Sequence, residues 1–340
     1  MVTIHPPRPI SCGIFLTYKC NSECRHCMYA SSPRWRADWI SESDLSRILS
    51  QLSGKIIPAP GGSRDVGINY GIHFTGGEPF LNFQLLLRAI EIAKSYELPS
   101  IFVETNSFWC IDDSSTEEKL RQLKEAGING VLISVNPFLV EYVPFERIDR
   151  ALRIGRKIFG ENLMVYQEVF YHQFRSLRLR GTISFNRYLE ILGFSGLRYV
   201  ELLPMGRTCY KLRDLFVKYP AKYFLRESCR AELLREWHTH IDNYGNYITG
   251  YCGGISLGDA RELDELLERG IDLDERPILR ALMNNLGELY KFAGKEFNYA
   301  EKTDGYISKC DLCLDIRRHI VQNSGEFPEL SPREFYFHLR

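Results

Sequence analysis

The sequence has no stretch of about 18 apolar residues, so no membrane-spanning helix is expected. Its start, Met1–Ile10, lacks the long apolar run of a secretory signal, so no export is expected and the cytoplasm is the predicted compartment. It carries no excess of charge. Lys+Arg and Asp+Glu number 43 each, which argues against a general binder of nucleic acid or of anionic membranes. There is no internal repeat and no low-complexity tract. What the chain does have is cysteine, ten in all. Without an export signal, a reducing compartment is expected. Seven of the ten fall in motif-like or clustered positions, so metal ligation is expected over disulfides.

The 340 residues suffice for about two domains of ordinary size. Strand-like runs occur at 13–17, 72–75, 101–104, 131–135, 164–170 and 199–203. Helix-like segments lie between them at 42–52, 83–95, 116–126, 145–158 and 183–192. In the second of these, Leu86, Leu87, Ile90 and Ala93 recur at helical spacing. Six strand–helix repeats predict an α/β fold, a parallel sheet covered by helices. Such a sheet carries its functional loops beyond the carboxyl ends of the strands. After Pro204 the alternation fails, which predicts domains at 1–203 and 204–340.

Cys20, Cys24 and Cys27 have the spacing C-x3-C-x2-C and follow the first predicted strand. Three thiolates on one loop grip a metal but leave it one ligand short. A 4Fe–4S cluster normally takes four Cys ligands, so one iron would stay open. The competing reading is a structural zinc knuckle completed by His26 or a remote residue. The second predicted strand runs into Gly76-Gly77-Glu78-Pro79, where two glycines allow a sharp turn and close approach to a ligand. The plainer reading there is a strand end with Glu78 starting a helix.

Taken together, these two motifs resemble the radical S-adenosylmethionine (SAM) superfamily over residues 11–203. The resemblance implies a partial (β/α)6 TIM-like barrel. It implies that Cys20, Cys24 and Cys27 bind a 4Fe–4S cluster whose open iron chelates the methionine part of SAM. One electron then cleaves the C–S bond, and the 5′-deoxyadenosyl radical abstracts hydrogen from a substrate. It further implies SAM contacts from His26, from the Gly76, Gly77 and Glu78 turn, and from Ser134. Thr105-Asn106-Ser107 resembles the family's Thr-Asn-Gly, which brings in Asn106, with Ser in the last place. Asn136 stands where relatives often have Asp, so an acid/base role there is in doubt. Glu168, read as the inward face of the fifth strand, is a candidate contact for SAM ribose or substrate.

Cys229, Cys252, Cys310 and Cys313 resemble, in their order, the SPASM or twitch auxiliary domain that follows many radical SAM cores. That implies a small C-terminal auxiliary-cluster domain with one further 4Fe–4S cluster. Zinc suits the same four thiolates. The segment Glu201–Arg207 resembles the Pro-x-Gly-Arg junction of relatives. Cys110 and Cys209 remain as candidates for returning a hydrogen atom to a substrate radical, and buried inert thiols are the alternative. The expected substrate is a peptide or protein side chain, with a small molecule of cofactor biosynthesis as the alternative. The expected electron donor is a flavodoxin or ferredoxin. The opposing class is a non-enzymatic zinc or iron–sulfur module.

Overall fold

The computed structural model describes residues 2–340. After a two-residue strand β1 (Thr3–Ile4), the chain runs β2 (Cys12–Thr17), α1 (Glu42–Leu52), β3 (Ile72–Gly76), α2 (Phe83–Ser95), β4 (Phe102–Thr105) and α3 (Asp113–Ala126). It continues through β5 (Gly130–Ser134), α4 (Phe145–Phe159), β6 (Leu163–Tyr166), α5 (Glu168–Ser176) and α6 (Phe185–Leu192). The helices start where the sequence supplies caps. Ser41 accepts from the Asp44 amide at 3.0 Å, and Asp112 from the Ser115 amide at 2.8 Å. Leu45, Ile48, Leu49 and Leu52 then form the buried stripe of α1.

Pro9–Cys24 and Ser31–Glu201 form one compact body. Its strands β6-β5-β4-β3-β2 lie in sequence order, each parallel to the next. Successive helices α1 to α4 also neighbour one another. A sheet wound in one direction puts its helices on one face and leaves the other open, which is the geometry of a partial barrel.

The parallel register sorts the side chains by face. One face carries Ile14, Phe74, Val103, Val131 and Ile133, which the helices cover. The other carries Phe15, His73, Thr75, Glu104, Ser134 and Tyr166. This open face is mixed, since it also carries Phe102, Leu132 and Met164, and Thr75 donates to Glu104 across it at 2.6 Å.

Two expected strands differ. Tyr199–Leu203 forms none, so the barrel has five parallel strands. The Val200 amide turns back to Leu197, Met205 to Leu203, and Pro204 has no N–H to donate. The fifth strand ends at Tyr166 instead of Phe170, because Phe170, Tyr171 and Phe174 share the buried face of α5.

Arg25–Ala30 and Leu202–Arg340, with residues up to Arg8, form a second body. It contains α7 (Thr208–Lys211), α8 (Arg230–Leu233), β7 (Thr239–Ile241), β8 (Tyr247–Thr249), α9 (Leu263–Arg269), β9 (Ile271–Asp272), α10 (Pro277–Asn284), α11 (Leu286–Phe297) and α12 (Lys309–Asn323). β7 and β8 make an antiparallel hairpin, and β9 pairs with β1. The hairpin turn is organised by Asp242, which accepts from the Tyr244 and Asn246 amides at 3.0 and 2.9 Å, while Gly245 takes a φ of +88°. Among the described residues, no helix is long and apolar enough to cross a membrane.

Candidate active site and auxiliary thiol site

The cysteine loop leaves the carboxyl end of β2. Its base is closed by Lys19, whose ammonium donates to the carbonyls of Pro33 at 2.7 Å and Trp35 at 2.9 Å. The Cys20 amide donates to Ser32 O at 3.2 Å. Cys20 is buried, Cys24 and Cys27 are partly exposed, and none of the three is in a disulfide.

The Gly76–Pro79 turn packs directly on this loop. The Gly77 amide donates to Thr17 O at 2.7 Å and the Glu78 amide to Lys19 O at 3.0 Å. Both amides are therefore taken up by the protein, and what the turn offers a ligand's ammonium is carbonyl oxygen. Gly76 has a φ of +112°, and a Cβ at Gly77 would lie 1.9 Å from Lys19 O. Backbone cannot yield there cheaply. Gly77→Ala is expected to cost about 1–3 kcal/mol and to displace the cysteine loop. Iron retained after anaerobic reconstitution, set beside the melting temperature, checks this.

Glu78 is 1% exposed and ties the next turn to this one. Its carboxylate accepts from Thr105 Oγ1 at 2.9 Å, from the Asn106 amide at 2.8 Å and from the Phe80 amide at 3.2 Å. Burial pushes its pKa up to about 7, against the pull of these three donors. Asn106 then reaches the cysteine loop. Its Nδ2 donates to Asn21 Oδ1 at 2.7 Å and lies 3.7 Å from Cys20 Sγ. A continuous chain of hydrogen bonds thus runs from Glu78 through Asn106 to Cys20. Ser107 sits at a φ of +65°, the conformation in which glycine carries no Cβ penalty.

Ser134 ends β5 on the open face, paired in register with Tyr166. Asn136 accepts from the Phe138 and Leu139 amides at 3.1 and 2.9 Å, so it caps a turn. Glu168 does not line this face. It opens α5, is more than half exposed and pairs with Arg156 at 3.2 Å. The carboxylate that does line it is Glu104, which the sequence reading passed over. Burial raises its pKa. His73 Nε2 lies 3.4 Å from Glu104, but burial lowers the imidazole's pKa to about 3, so the contact carries no ion pair at neutral pH. Alternation along β4 with Phe102 was the signal available in the sequence.

In the second body, Arg207 holds the later part of the cysteine loop. The side chain is fully buried. Its Nη2 donates to Ala30 O at 2.6 Å and its amide to Cys27 O at 3.0 Å. Tyr29 hydrogen-bonds His240 Nδ1 at 3.0 Å. Burial, and then the Arg207 charge, lowers the His26 pKa to about 4, so His26 is a neutral ring. Cys209 is buried with its thiol on Pro204 O at 3.3 Å, and burial raises its pKa. Cys110, in the barrel body, is buried beside Thr116 and pushed up to about 12. Both are thiols, not thiolates, at neutral pH.

The structure brings Cys229, Cys252, Cys310 and Cys313 to one pocket. Cys229 precedes α8, with its amide on Leu282 O at 2.8 Å. Cys252 follows the β7–β8 hairpin, and Cys310 and Cys313 lie one turn apart on α12. The Cys229 thiol donates to Cys313, which draws the Cys313 pKa down and pushes that of Cys229 up. All four are free, so proximity has not produced a disulfide. A partly buried four-thiol donor set without imidazole or carboxylate in its lining fits a 4Fe–4S cluster or zinc.

Residues 14–157 match the model of the Radical SAM superfamily. That segment is a radical SAM domain. Among curated proteins this chain is 26% identical over 145 residues to YydG of Bacillus subtilis strain 168, whose name provisionally assigns it to peptide biosynthesis. It is 23% identical over 209 residues to a GTP 3′,8-cyclase of Clostridium acetobutylicum. These matches take in 43% and 57% of the present chain. It spans about half the length of these relatives, 41% and 56%. Among solved structures, BtrN in complex with AdoMet and 2-DOIA aligns over 84% of this chain and 91% of its own, with a TM-score of 0.47 and 13% identity. Native anSMEcpe with bound AdoMet aligns over 93% and 98%, with a TM-score of 0.43 and 12% identity.

Proposed function

We propose that this protein is a hydrogen-abstracting radical SAM enzyme acting on a peptide or protein side chain. The observation that carries the reading is the hydrogen-bonded chain joining the Gly76–Pro79 turn, Asn106 and Cys20. It couples a cluster-type cysteine loop to a turn suited to an amino-acid ammonium. When bound at Cys20, Cys24 and Cys27, a 4Fe–4S cluster supplies the electron that cleaves SAM to a 5′-deoxyadenosyl radical. The protein's share is to hold and orient. Lys19 closes the cysteine loop, Glu78 fixes the strand-end turns, and Ser134 stands on the open face toward which a nucleoside would lie. His26, uncharged, is suited to stacking on an adenine.

The peptide substrate is supported by the YydG relative, and the GTP cyclase relative supports the small-molecule alternative. Cys229, Cys252, Cys310 and Cys313 hold an auxiliary 4Fe–4S cluster in this reading. Ten cysteines outside disulfides agree with a reducing cytoplasm and with a flavodoxin or ferredoxin as electron donor.

Anaerobic reconstitution tests the proposal. About eight irons per chain, from two clusters of four, are expected, with 5′-deoxyadenosine released from SAM under reductant. Zinc in the protein as isolated and no deoxyadenosine would sink it. Cys310→Ala with Cys313→Ala is expected to remove about half of the iron. Full iron in that variant would refute the auxiliary ligand set. Deuterium transfer from labelled peptides into deoxyadenosine tests the substrate class.

A further inference from the structure

Arg317 lies one helical turn beyond Cys313 on α12 and is only 5% exposed. Its Nε donates to Cys313 Sγ at 3.2 Å. Its Nη1 donates to Gly253 O at 3.0 Å and to Tyr336 Oη at 2.7 Å. Tyr336 in turn donates to Gly254 O at 2.5 Å. Gly253 and Gly254 directly follow Cys252. One guanidinium therefore ties the Cys252 segment to the Cys313 helix through a fixed fork of donors.

A buried guanidinium needs a counter-charge. Among the described residues, no carboxylate forms an ion pair with Arg317; the thiols are what face it. The other cations near these cysteines are differently placed. Lys309 is already matched by Glu232 at 2.6 Å. Arg235 is stacked between Trp237 and Tyr251, 3.9 and 4.2 Å from the ring centroids.

We propose that Arg317 is a positioning residue that sets the redox poise of the auxiliary site. The inference rests on the reading that these four cysteines hold a 4Fe–4S cluster. Reduction adds one electron from an external donor, with no bond made or broken and no proton moved. The cluster with its thiolates becomes one unit more negative. A fixed positive charge hydrogen-bonded to a ligand sulfur favours the more negative state, so Arg317 raises the reduction potential.

The experiment uses the full chain with Cys20, Cys24 and Cys27 replaced by Ala, so that only the auxiliary cluster is read. Reduction is followed by EPR against dithionite and mediators. In this background Arg317→Met is expected to keep about four irons and to shift the reduction equilibrium at least tenfold toward the oxidised form. Tenfold corresponds to about 59 mV for one electron. Arg317→Lys keeps the charge without the fork, and a smaller fall is expected. An unchanged potential in Arg317→Met at full iron overturns the proposal. Should that variant not load, Arg317→Lys decides: a lowered potential supports the proposal and an unchanged one overturns it. Zinc at the auxiliary site before any change at Arg317 would remove the cluster reading and the proposal with it. That failure is visible in metal analysis alone, so the two are told apart.

Discussion

Replacing Cys20, Cys24 and Cys27 together by Ala is expected to abolish release of 5′-deoxyadenosine from SAM. The loss should be complete against a reductant-only background, while about four irons remain on the auxiliary cysteines. Cys24 and Cys27 are partly exposed, so a chemical effect is expected over a failure to fold. Cys20 is the one buried thiol of the three. Its sulfur accepts from the Ser22 amide at 3.4 Å, and Asn106 approaches it. Liquid chromatography of the quenched reaction, with circular dichroism of the same sample, separates the two explanations. Residual deoxyadenosine at the wild-type rate would mean that SAM is cleaved elsewhere.

Glu78→Gln is expected to change how stability depends on pH. The folded-state pKa of Glu78 is raised from 4.5 to about 7, chiefly by burial. The folded state therefore holds the proton more tightly than the unfolded chain. The resulting stabilisation is complete below the unfolded value and is lost as pH rises through the folded one. A shift of this size corresponds to roughly 3 kcal/mol between pH 4.5 and 7. Glutamine removes that slope, apart from what Glu104 contributes, since its pKa is also raised by burial. The amide substitute has its own cost. It sets an NH2 group against one of the three donors that Glu78 accepts, about 1–3 kcal/mol for a buried donor left unmade. Glu78→Gln is thus less stable than wild type near pH 5, and the gap closes toward pH 8. Urea unfolding at the two pH values reads it. An equally steep slope in Glu78→Gln would place the titrating group elsewhere. Glu78→Ala, which leaves all three donors without their acceptor, should be worse than Gln at both.

The parts of this site that could be read from the sequence are those where chemistry dictates spacing. Three cysteines on a loop, a Gly-Gly-Glu-Pro turn and four later cysteines are each short patterns with a physical reason to be short. The first four strands were legible for a similar reason, since each is a continuous apolar run that ends at a turn. The fifth was overextended because Met164–Phe170 is apolar or aromatic on both sides of Gln167 and Glu168. Only the recurrence of Phe170 and Phe174 four residues apart marks the helix that takes over at Glu168. The sixth failed because the Val200 amide turns back to Leu197 and the Glu201 amide donates to the Gln167 side chain, so the run pairs with no strand. Glu104 was legible only as a place on one face of β4, by alternation with Phe102, and Arg317 not at all. Each owes its role to a partner distant in sequence or on another turn, Thr75 for the first and the Cys252 and Cys313 segments for the second. Arg207 was visible only as part of a Pro-x-Gly-Arg resemblance. Its hold on Cys27 and Ala30 depends on how the chain returns to that loop.

The alternation along the barrel strands divides their residues into two populations that answer to different demands. Ile14, Phe74, Val103, Val131 and Ile133 face the helices, and a change there is paid in stability. Phe15, Thr75, Glu104, Ser134 and Tyr166 face the open side, and a change there alters what the barrel can receive. Because neighbours along each strand belong to opposite populations, substrate preference can drift one residue at a time while the scaffold stays intact. The cysteine loop is anchored at strand ends, through the Gly76–Pro79 turn and Asn106, so it answers to neither population alone.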